Sequence, residues 1–327
     1  MKPQPRSTSA QITWADRWDH FLARWGVNRM GHRVEPGLYT LGSPTPSSPV
    51  LVTANYTLSM DALRSALTGI DSYILVLDTE GINVWCAAGK GTFGVDELVH
   101  RIETTVLYNV VDHRRLILPQ LAASGVAAHE VRKRSGFKVE YGPVRAADLP
   151  QYLKTGQATP EMRRVSFTCR DRLALIPIEL VHAAWPTLIA ALVVYWVGGP
   201  LASAAVVTTV LAGIVLVPVL LPWLPTHDFS SKGFFLGAVV ALPFALAAFA
   251  RHPDQAWWLR LGAALTLLLP LPPVTAFLAL NFTGSTTFTS RTGVRNEIFR
   301  YVPIMAWTFG IGILLTLILF LVKTLGA

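Results

Sequence analysis

The residues with the clearest chemical potential form the run Asn83-Val84-Trp85-Cys86-Ala87-Ala88-Gly89-Lys90, a thiol among small residues with a lysine four positions on. The thiolate, not the thiol, is the form that attacks or binds metal, and nearby N–H groups or positive charge favour it. If Ala87 to Gly89 opens a helix or a tight turn, its amides and Lys90 supply that bias. A thiolate is a soft, strongly donating ligand suited to a late transition metal. The small neighbours leave room for a flat macrocycle to approach the backbone. A second reading stands beside this one, because free cysteine is commonly a buried structural residue. Gly89-Lys90-Gly91-Thr92 is not a phosphate loop, since the lysine lacks a following Ser or Thr and the earlier glycine is missing.

Cys169 is the second of the two cysteines in the chain. Two are too few for an iron–sulfur cluster, which takes about four protein ligands, and zinc patterns of the CxxC or HExxH type are absent. The expectation is a chain with no iron–sulfur cluster of its own.

The elements around Cys86 read as alternating strands and helices. Val50-Leu51-Val52-Thr53-Ala54 is a short strand, followed by a helix over 58–67. Tyr73-Ile74-Leu75-Val76-Leu77 is a second strand, apolar throughout as in a buried parallel sheet. Asp78-Thr79-Glu80-Gly81 then leads into the cysteine run, a helix follows over 95–107, and shorter elements reach about residue 153. This alternation predicts an α/β, Rossmann-like doubly wound sheet with its ligand at the carboxyl ends of the strands. Upstream, residues 1–11 read as disordered. Trp14, Trp18, Phe21 and Trp25 recur at helical spacing, either on a helix packed against the domain or on one lying at a bilayer surface. Ser43-Pro44-Thr45-Pro46-Ser47-Ser48-Pro49 reads as a linker. The expected division is 1–45 as an N-terminal tail with amphipathic helix and linker, 46–160 as the α/β domain, and 161–327 as an apolar domain.

Hydrophobic residues make up 52% of the 327 and charged residues 15%, against about 25% charged in a typical soluble chain. The deficit lies after about residue 172. Five apolar runs follow, near 173–196, 200–222, 233–250, 256–279 and 301–323, each close to the ~20 residues that cross a bilayer. They predict an all-α transmembrane domain of about five helices, with kinks at Pro270, Pro272 and Pro273. Arg163, Arg164, Arg170, Arg172, Lys232, Arg291, Arg295 and Arg300 fall on one side of these runs; Arg251, Arg260 and Lys323 fall on the other. The positive-inside rule then keeps the α/β domain cytoplasmic, in a multi-pass protein of the cytoplasmic membrane. It also puts the loop Asn281-Phe282-Thr283-Gly284-Ser285-Thr286-Thr287 on the cytoplasmic side, where its glycosylation-like triplet has no use. The N-terminus lacks the apolar core of a signal peptide. The net charge of +8 suits anionic lipid, a membrane partner; no basic helix or aromatic-studded sheet points to nucleic acid.

The octet Asn83 to Lys90 resembles the cap-helix signature of the HgcA family, the corrinoid-dependent mercury methyltransferases. The likeness continues through Val50-Leu51-Val52-Thr53-Ala54-Asn55-Tyr56, Arg114-Arg115-Leu116-Ile117-Leu118-Pro119-Gln120-Leu121, Gly125-Val126-Ala127-Ala128-His129-Glu130-Val131 and Tyr141-Gly142-Pro143-Val144, and reaches Asn281 to Ser285. The soluble half also resembles the corrinoid domain of the acetyl-CoA-pathway corrinoid iron–sulfur protein, without its cluster-binding cysteines. The resemblance implies a corrinoid, cobalamin-type cofactor whose cobalt takes Cys86 as lower axial ligand, the rest of the octet shaping the cap against the ring. It implies a methyl group, drawn from methyltetrahydrofolate and passed to Hg(II) to form methylmercury. The thiolate, by donating to cobalt, would weaken the opposite cobalt–carbon bond. The implied electron donor is HgcB, a small ferredoxin-like iron–sulfur protein. Two other functions stay open: a membrane-anchored methyl carrier of one-carbon or acetyl-CoA metabolism, and a non-enzymatic corrinoid-binding or metal-transport protein.

Further candidates follow from position. Thr53, Asn55 and Tyr56 trail the first strand, and Thr79 and Glu80 the second, so each is a cofactor contact or an ordinary turn residue. Gln120 and Gly142 lie in matched segments as backbone or tail contacts. His113 and His129 are candidates for the cofactor tail, against a plain hydrogen-bonding role. Cys169 reads as a juxtamembrane thiol, with mercury relay as the alternative. Glu179 and His182 sit where snorkelling accounts for them.

Overall fold

The structure is a computed structural model that describes residues 4–286 and 290–325. The chain forms two compact units, Met1–Ser166 and Phe167–Ala327.

The first unit contains strands β1 (Arg6–Thr8), β2 (Gly37–Leu41), β3 (Val50–Ala54), β4 (Ser72–Leu77), β5 (Arg115–Leu118) and β6 (Lys138–Tyr141). Its helices are α1 (Trp14–Arg24), α2 (Thr57–Ala66), α3 (Val84–Lys90), α4 (Val95–Thr104), α5 (Ala128–Ser135) and α6 (Leu149–Thr155). The strands make one sheet in the order β1-β2-β4-β3-β5-β6. β4, β3, β5 and β6 run parallel, while β2 pairs antiparallel to β4. The sheet is therefore mixed rather than purely parallel, the added strands extending one edge.

Both central strands are buried along their full length, so their alternation serves two cores at once. Val50, Val52, Leu75 and Leu116 pack on one face with Leu98, Ile102 and Val131 from α4 and α5. Leu51, Ile74 and Ile117 pack on the other with Met60, Leu63, Leu149 and Tyr152 from α2 and α6. Burying helices on both faces is what allows apolar runs without a polar alternate.

Residues 1–45, expected as tail and linker, join this sheet. β1 lies in the stretch expected to be disordered and is held by parallel pairing, Arg6 to Tyr39 and Thr8 to Leu41; residues 1–3 lie outside the described set. The linker 43–49 is a packed β2–β3 connection, with the Asp112 N–H donating to the Pro46 carbonyl at 3.0 Å. α1 attaches through its polar face. Asp16 meets Arg64 Nη2 at 2.8 Å, and Asp61 lies 2.7 Å from His20 Nε2 and 2.6 Å from Arg64 Nε. The indole of Trp14 is consequently 86% exposed, Trp18 61% and Phe21 46%. The expected helix is present, and it packs on the domain by the face opposite its aromatic stripe.

The second unit comprises α7 (Cys169–Leu173), α8 (Ile176–Leu211), α9 (Val217–Leu220), α10 (Phe229–Ala250), α11 (Trp257–Leu268), α12 (Leu271–Phe282) and α13 (Arg291–Leu325). Among the described residues, four helical runs are long and apolar enough to cross a membrane. The first, Cys169–Leu220, doubles back. Gly199 has φ 78°, and Ser203 Oγ donates to the Ala191 carbonyl at 2.9 Å, twelve residues that a continuous helix would separate by ~18 Å. The run thus contains two rods, matching the expected break between 196 and 200. α11 and α12 meet at Leu269-Pro270, where the proline cluster was expected to interrupt the fourth run. Asn281 and Phe282 close α12, and Thr283–Ser285 forms one 3-10 turn; Thr287 lies outside the described residues.

Candidate functional site

The parallel strands set one end of the sheet apart. Chain order runs outward from β3 to β4, then crosses back to β5 and β6, so the crevice between β3 and β5 at their carboxyl ends is the switch point where such sheets bind ligands. Thr53 and Asn55 stand at the end of β3, Thr79 two residues after β4, Gln120 two residues after β5 and Gly142 directly after β6. The octet follows β4. The structure thus brings these sequence candidates to one end.

α3 begins at Val84, three residues earlier than a helix opened by Ala87 to Gly89. Asn83 is its N-cap, and its side-chain Oδ1 accepts the Cys86 N–H at 3.0 Å. An asparagine in extended backbone, with a free carbonyl oxygen over the first turn, is what a helix start needs. Cys86 therefore lies inside the first turn, and Asn83 already takes its amide. The helix ends at Gly91, whose φ of 91° is the left-handed cap glycine tolerates.

Helical spacing sorts the octet into two faces. Val84, Ala87 and Ala88 are buried in the core with Ala54, Leu77 and Leu118. Cys86, Gly89 and Lys90, at i, i+3 and i+4, share the other face; Cys86 is half-buried, and Gly89 and Lys90 are exposed. A side chain starting from Gly89 would have no atom within 4 Å. The inner face is held tightly. A Cβ on Gly125 would lie 2.4 Å from the Phe93 carbonyl oxygen and 2.8 Å from Ala88 Cα, so only glycine lets the loop after β5 close on α3.

Below the cap, Asn55 organises the β4 loop. Its Oδ1 accepts from the Thr79 N–H at 3.0 Å and the Gly81 N–H at 3.0 Å, and lies 2.9 Å from Thr79 Oγ1. Its Nδ2 donates to Asp78 Oδ1 at 3.0 Å. Asn55 and Thr79 are buried, as is Thr53; the side chains of Asn55 and Thr79 are taken up by the loop they hold, Thr79 Oγ1 also donating to the Ile82 carbonyl at 2.7 Å. Glu80 adopts φ 59°, a strained setting for a residue with a side chain, and its N–H donates to Asp78 Oδ1 at 3.1 Å. Gln120 Oε1 accepts from Arg163 Nη1 at 2.6 Å, and the Gln120 N–H donates to the Pro143 carbonyl at 3.2 Å. Gly142 is buried against Ile117 and donates its N–H to Leu118 at 2.8 Å.

Other candidates lie elsewhere. His113 precedes β5, at the opposite end of the sheet. Its Nε2 is 2.9 Å from the Ser48 carbonyl and its Nδ1 accepts the Arg115 N–H at 3.2 Å, which uses both ring nitrogens to anchor the β2–β3 connection. His129 opens α5 with its side chain 82% exposed, 3.6 Å from Glu130. Cys169 begins α7 and is exposed. Sequence reasoning named Asp78 only as part of the loop and Arg163 only for topology, and passed over Glu97. Glu97 Oε1 accepts the Asp78 N–H at 2.8 Å while paired with Arg101; no local pattern announces such a long-range contact. Among the described residues, no group of three or more His, Cys, Asp or Glu side chains is arranged to hold a metal ion.

Comparison with known proteins bears on what this end of the sheet could hold. Residues 27–153 match the family model of the CO dehydrogenase/acetyl-CoA synthase delta subunit. The chain is 36% identical over 128 residues to the acetyl-CoA decarbonylase/synthase complex subunit gamma of Methanopyrus kandleri, covering 38% of this chain and 27% of that one. It is 36% identical over 124 residues to the same subunit of Archaeoglobus fulgidus, covering 37% and 26%. The corrinoid/iron-sulfur protein large subunit of Moorella thermoacetica is 30% identical over 129 residues, covering 39% and 28%. The chain thus spans about a quarter of the length of these relatives, and the matched family model ends before the second unit. Residues 27–153, the stretch matched by the family model, carry Cys86, and the similar proteins include a corrinoid/iron-sulfur protein large subunit.

Proposed function

We propose that this chain is a membrane-anchored corrinoid protein that carries and transfers a methyl group, with Cys86 as the protein's ligand to cobalt. The observation that carries this reading is the half-buried thiol on the open face of α3, above the switch point of a sheet related in sequence to corrinoid proteins. The donor chemistry fits the cofactor: one soft sulfur, a glycine one turn on with open space above it, and no competing metal cluster among the described residues. When bound, a corrinoid supplies a cobalt centre able to hold and release a methyl group.

The chain's own part is positional. Val84, Ala87 and Ala88 fix the inner face of α3, and Gly125 lets the loop after β5 lock against it. Asn83 orients the first turn, so the Cys86 sulfur projects from a rigid element rather than a mobile loop. Asn55 and Asp78 hold the β4 loop below. The apolar helices of the second unit would anchor the protein in the cytoplasmic membrane, five rods crossing and the α/β unit facing the cytoplasm.

The relatives favour a methyl acceptor within one-carbon or acetyl-CoA metabolism. Hg(II) is the second acceptor. It is favoured by the softness of the Cys86 donor, which would suit a bound corrinoid that gives methyl to a soft electrophile, and by the resemblance of Asn83 to Lys90 to the mercury methyltransferase cap. With Hg(II) as acceptor, methyl would leave as a carbanion equivalent, and an external electron donor, a ferredoxin-like iron–sulfur protein such as HgcB, would be needed at each turnover; transfer as a cation equivalent to a one-carbon acceptor would need none at each turnover.

The test compares the full chain with Cys86→Ala, each loaded with methylated cobalamin. Thiolate ligation predicts an absorption spectrum in the wild type that the variant lacks, together with loss of methyl transfer. Identical spectra would remove Cys86 from the role. Offering Hg(II) and an acetyl-CoA-synthase-type acceptor in parallel then separates the two acceptors by product.

A further inference from the structure

The second unit contains a cavity of roughly 770 Å³ whose wall includes Arg172, Lys232, Arg300, Asp228 and Glu297. The two carboxylates are already engaged. Glu297 Oε2 accepts from the Ser230 N–H and Oγ, each at 3.0 Å, so it caps the start of α10. Asp228 Oδ2 accepts from the Tyr301 hydroxyl at 2.8 Å and lies 3.9 Å from Arg300 Nη1.

The cations are not matched in the same way. Arg172 is 5% exposed, its Nη1 donates to the Phe167 carbonyl at 2.8 Å, and its Nε has no acceptor. Among the described residues it makes no ion pair. Among the described residues Lys232 Nζ makes no ion pair; it donates to the Leu221 carbonyl at 3.4 Å and lies 5.8 Å from the centre of the Phe229 ring. A guanidinium taken out of water without a counter-charge is costly, and this one lines a cavity with two further cations in its wall.

We propose that the cavity binds the phosphate of an anionic lipid headgroup, with Arg172 as its buried anchor and Lys232 and Arg300 as supporting charges. A guanidinium fork matches phosphate oxygens, and lysine adds a point charge. Phe167, Leu221 and Phe229 in the same wall suit the glycerol and first acyl carbons rather than a free ion. All three cations belong to the segments that the positive-inside rule assigns to the cytoplasmic side, where basic pockets between spanning helices take lipid headgroups. The proposal rests on the membrane-anchored reading.

The experiment uses the full chain in nanodiscs of equal parts phosphatidylglycerol and phosphatidylcholine, with bound lipid counted by native mass spectrometry after release. Recovery of the chain in the nanodisc fraction tests the anchor itself; a chain that stays outside removes that reading and this one with it. With the chain inserted, the expected result is retained phosphatidylglycerol and no retained phosphatidylcholine. Arg172→Gln should lower retention about tenfold, the worth of one charge-assisted contact, and Arg172→Lys should restore part of it. Lys232→Gln should lower retention without touching the buried arginine, so an unstable Arg172 variant leaves the test standing. Equal retention of both lipids, or retention indifferent to all three variants, overturns the proposal while leaving the anchor intact. A soluble arm adds inorganic phosphate in detergent: Arg172-dependent phosphate binding without lipid retention also overturns it, assigning the site to a free anion.

Discussion

Gly125→Ala tests the seating of α3 without altering the thiol or any charge. Gly125 has φ −110° and ψ −21°, a backbone that alanine adopts freely, so the effect is steric alone. The new methyl would lie 2.4 Å from the Phe93 carbonyl oxygen and 2.8 Å from the Ala88 Cα and carbonyl oxygen, where ordinary contact begins at 3.4 Å. All three atoms are backbone, so no side chain can swing aside, and both α3 and the segment at Phe93 that follows it must shift away from the loop after β5. Overpacking of this kind costs roughly 1–3 kcal/mol, and part of it is relieved by lifting the cap. The assay uses a Cys169→Ser background, so that Cys86 is the sole thiol. The prediction is a lower melting temperature, faster reaction of Cys86 with a thiol reagent, and weaker retention of cobalamin. Unchanged melting and unchanged thiol reactivity would refute the close approach of Ala88 to Gly125, and with it the argument that α3 is rigidly held.

Asn55→Asp keeps the acceptor for Thr79 and Gly81 but sets a second carboxylate where Nδ2 lay 3.0 Å from Asp78. Two close carboxylates resist joint ionisation, so the variant should be destabilised by roughly 3 kcal/mol at neutral pH and recover as pH falls in thermal melts. His32 is buried; desolvation opposes its charge, but bonds to the Val27 carbonyl and to Asp19 outweigh this and raise its pKa. Its stabilising share is therefore complete below the ordinary histidine pKa and disappears as pH rises through the raised one. Melting temperatures between about pH 6 and 9 should fall across that window, and His32→Gln should flatten the trend. Trp18→Ser should change stability by less than about 0.5 kcal/mol, because the indole is 61% exposed; a larger loss by chemical denaturation would mean that the stripe faces the core after all.

The parts of the fold legible in the sequence are those set by local pattern. β3 and β4 are largely apolar runs that include the β-branched Val50, Val52, Thr53, Ile74 and Val76, readable because both faces are buried. The break between the first two apolar runs was legible, whereas reading the helix start at Ala87 places α3 three residues late, although Asn83 is an N-cap residue. β1 was not legible, since three polar residues become a strand only when β2 lies beside them. The attachment of α1 was not legible either. Its aromatic spacing is visible, yet Asp16, Asp19 and His20 find Arg64, His32 and Asp61 far along the chain. A helix tied down by its charges can leave its apolar face outward, and no periodicity reveals which face wins.

The same distinction explains why the candidate site was found through one residue and understood only through others. Cys86 stands out because its chemistry is rare in this chain. The residues that make the thiol usable are ordinary types: an asparagine that caps, alanines that pack, a glycine that admits close approach. Asn55, whose position suggested a cofactor contact, uses both ends of its amide on protein partners. Its importance to the site is therefore mechanical, and a variant at Asn55 should disturb cofactor retention only in proportion to the stability it loses. Cys86→Ala should do the opposite, removing ligation while leaving a helix whose inner face, formed by Val84, Ala87 and Ala88, is untouched. The contrast between those two variants tests whether Cys86 meets the metal while Asn55 serves only to hold the site in place.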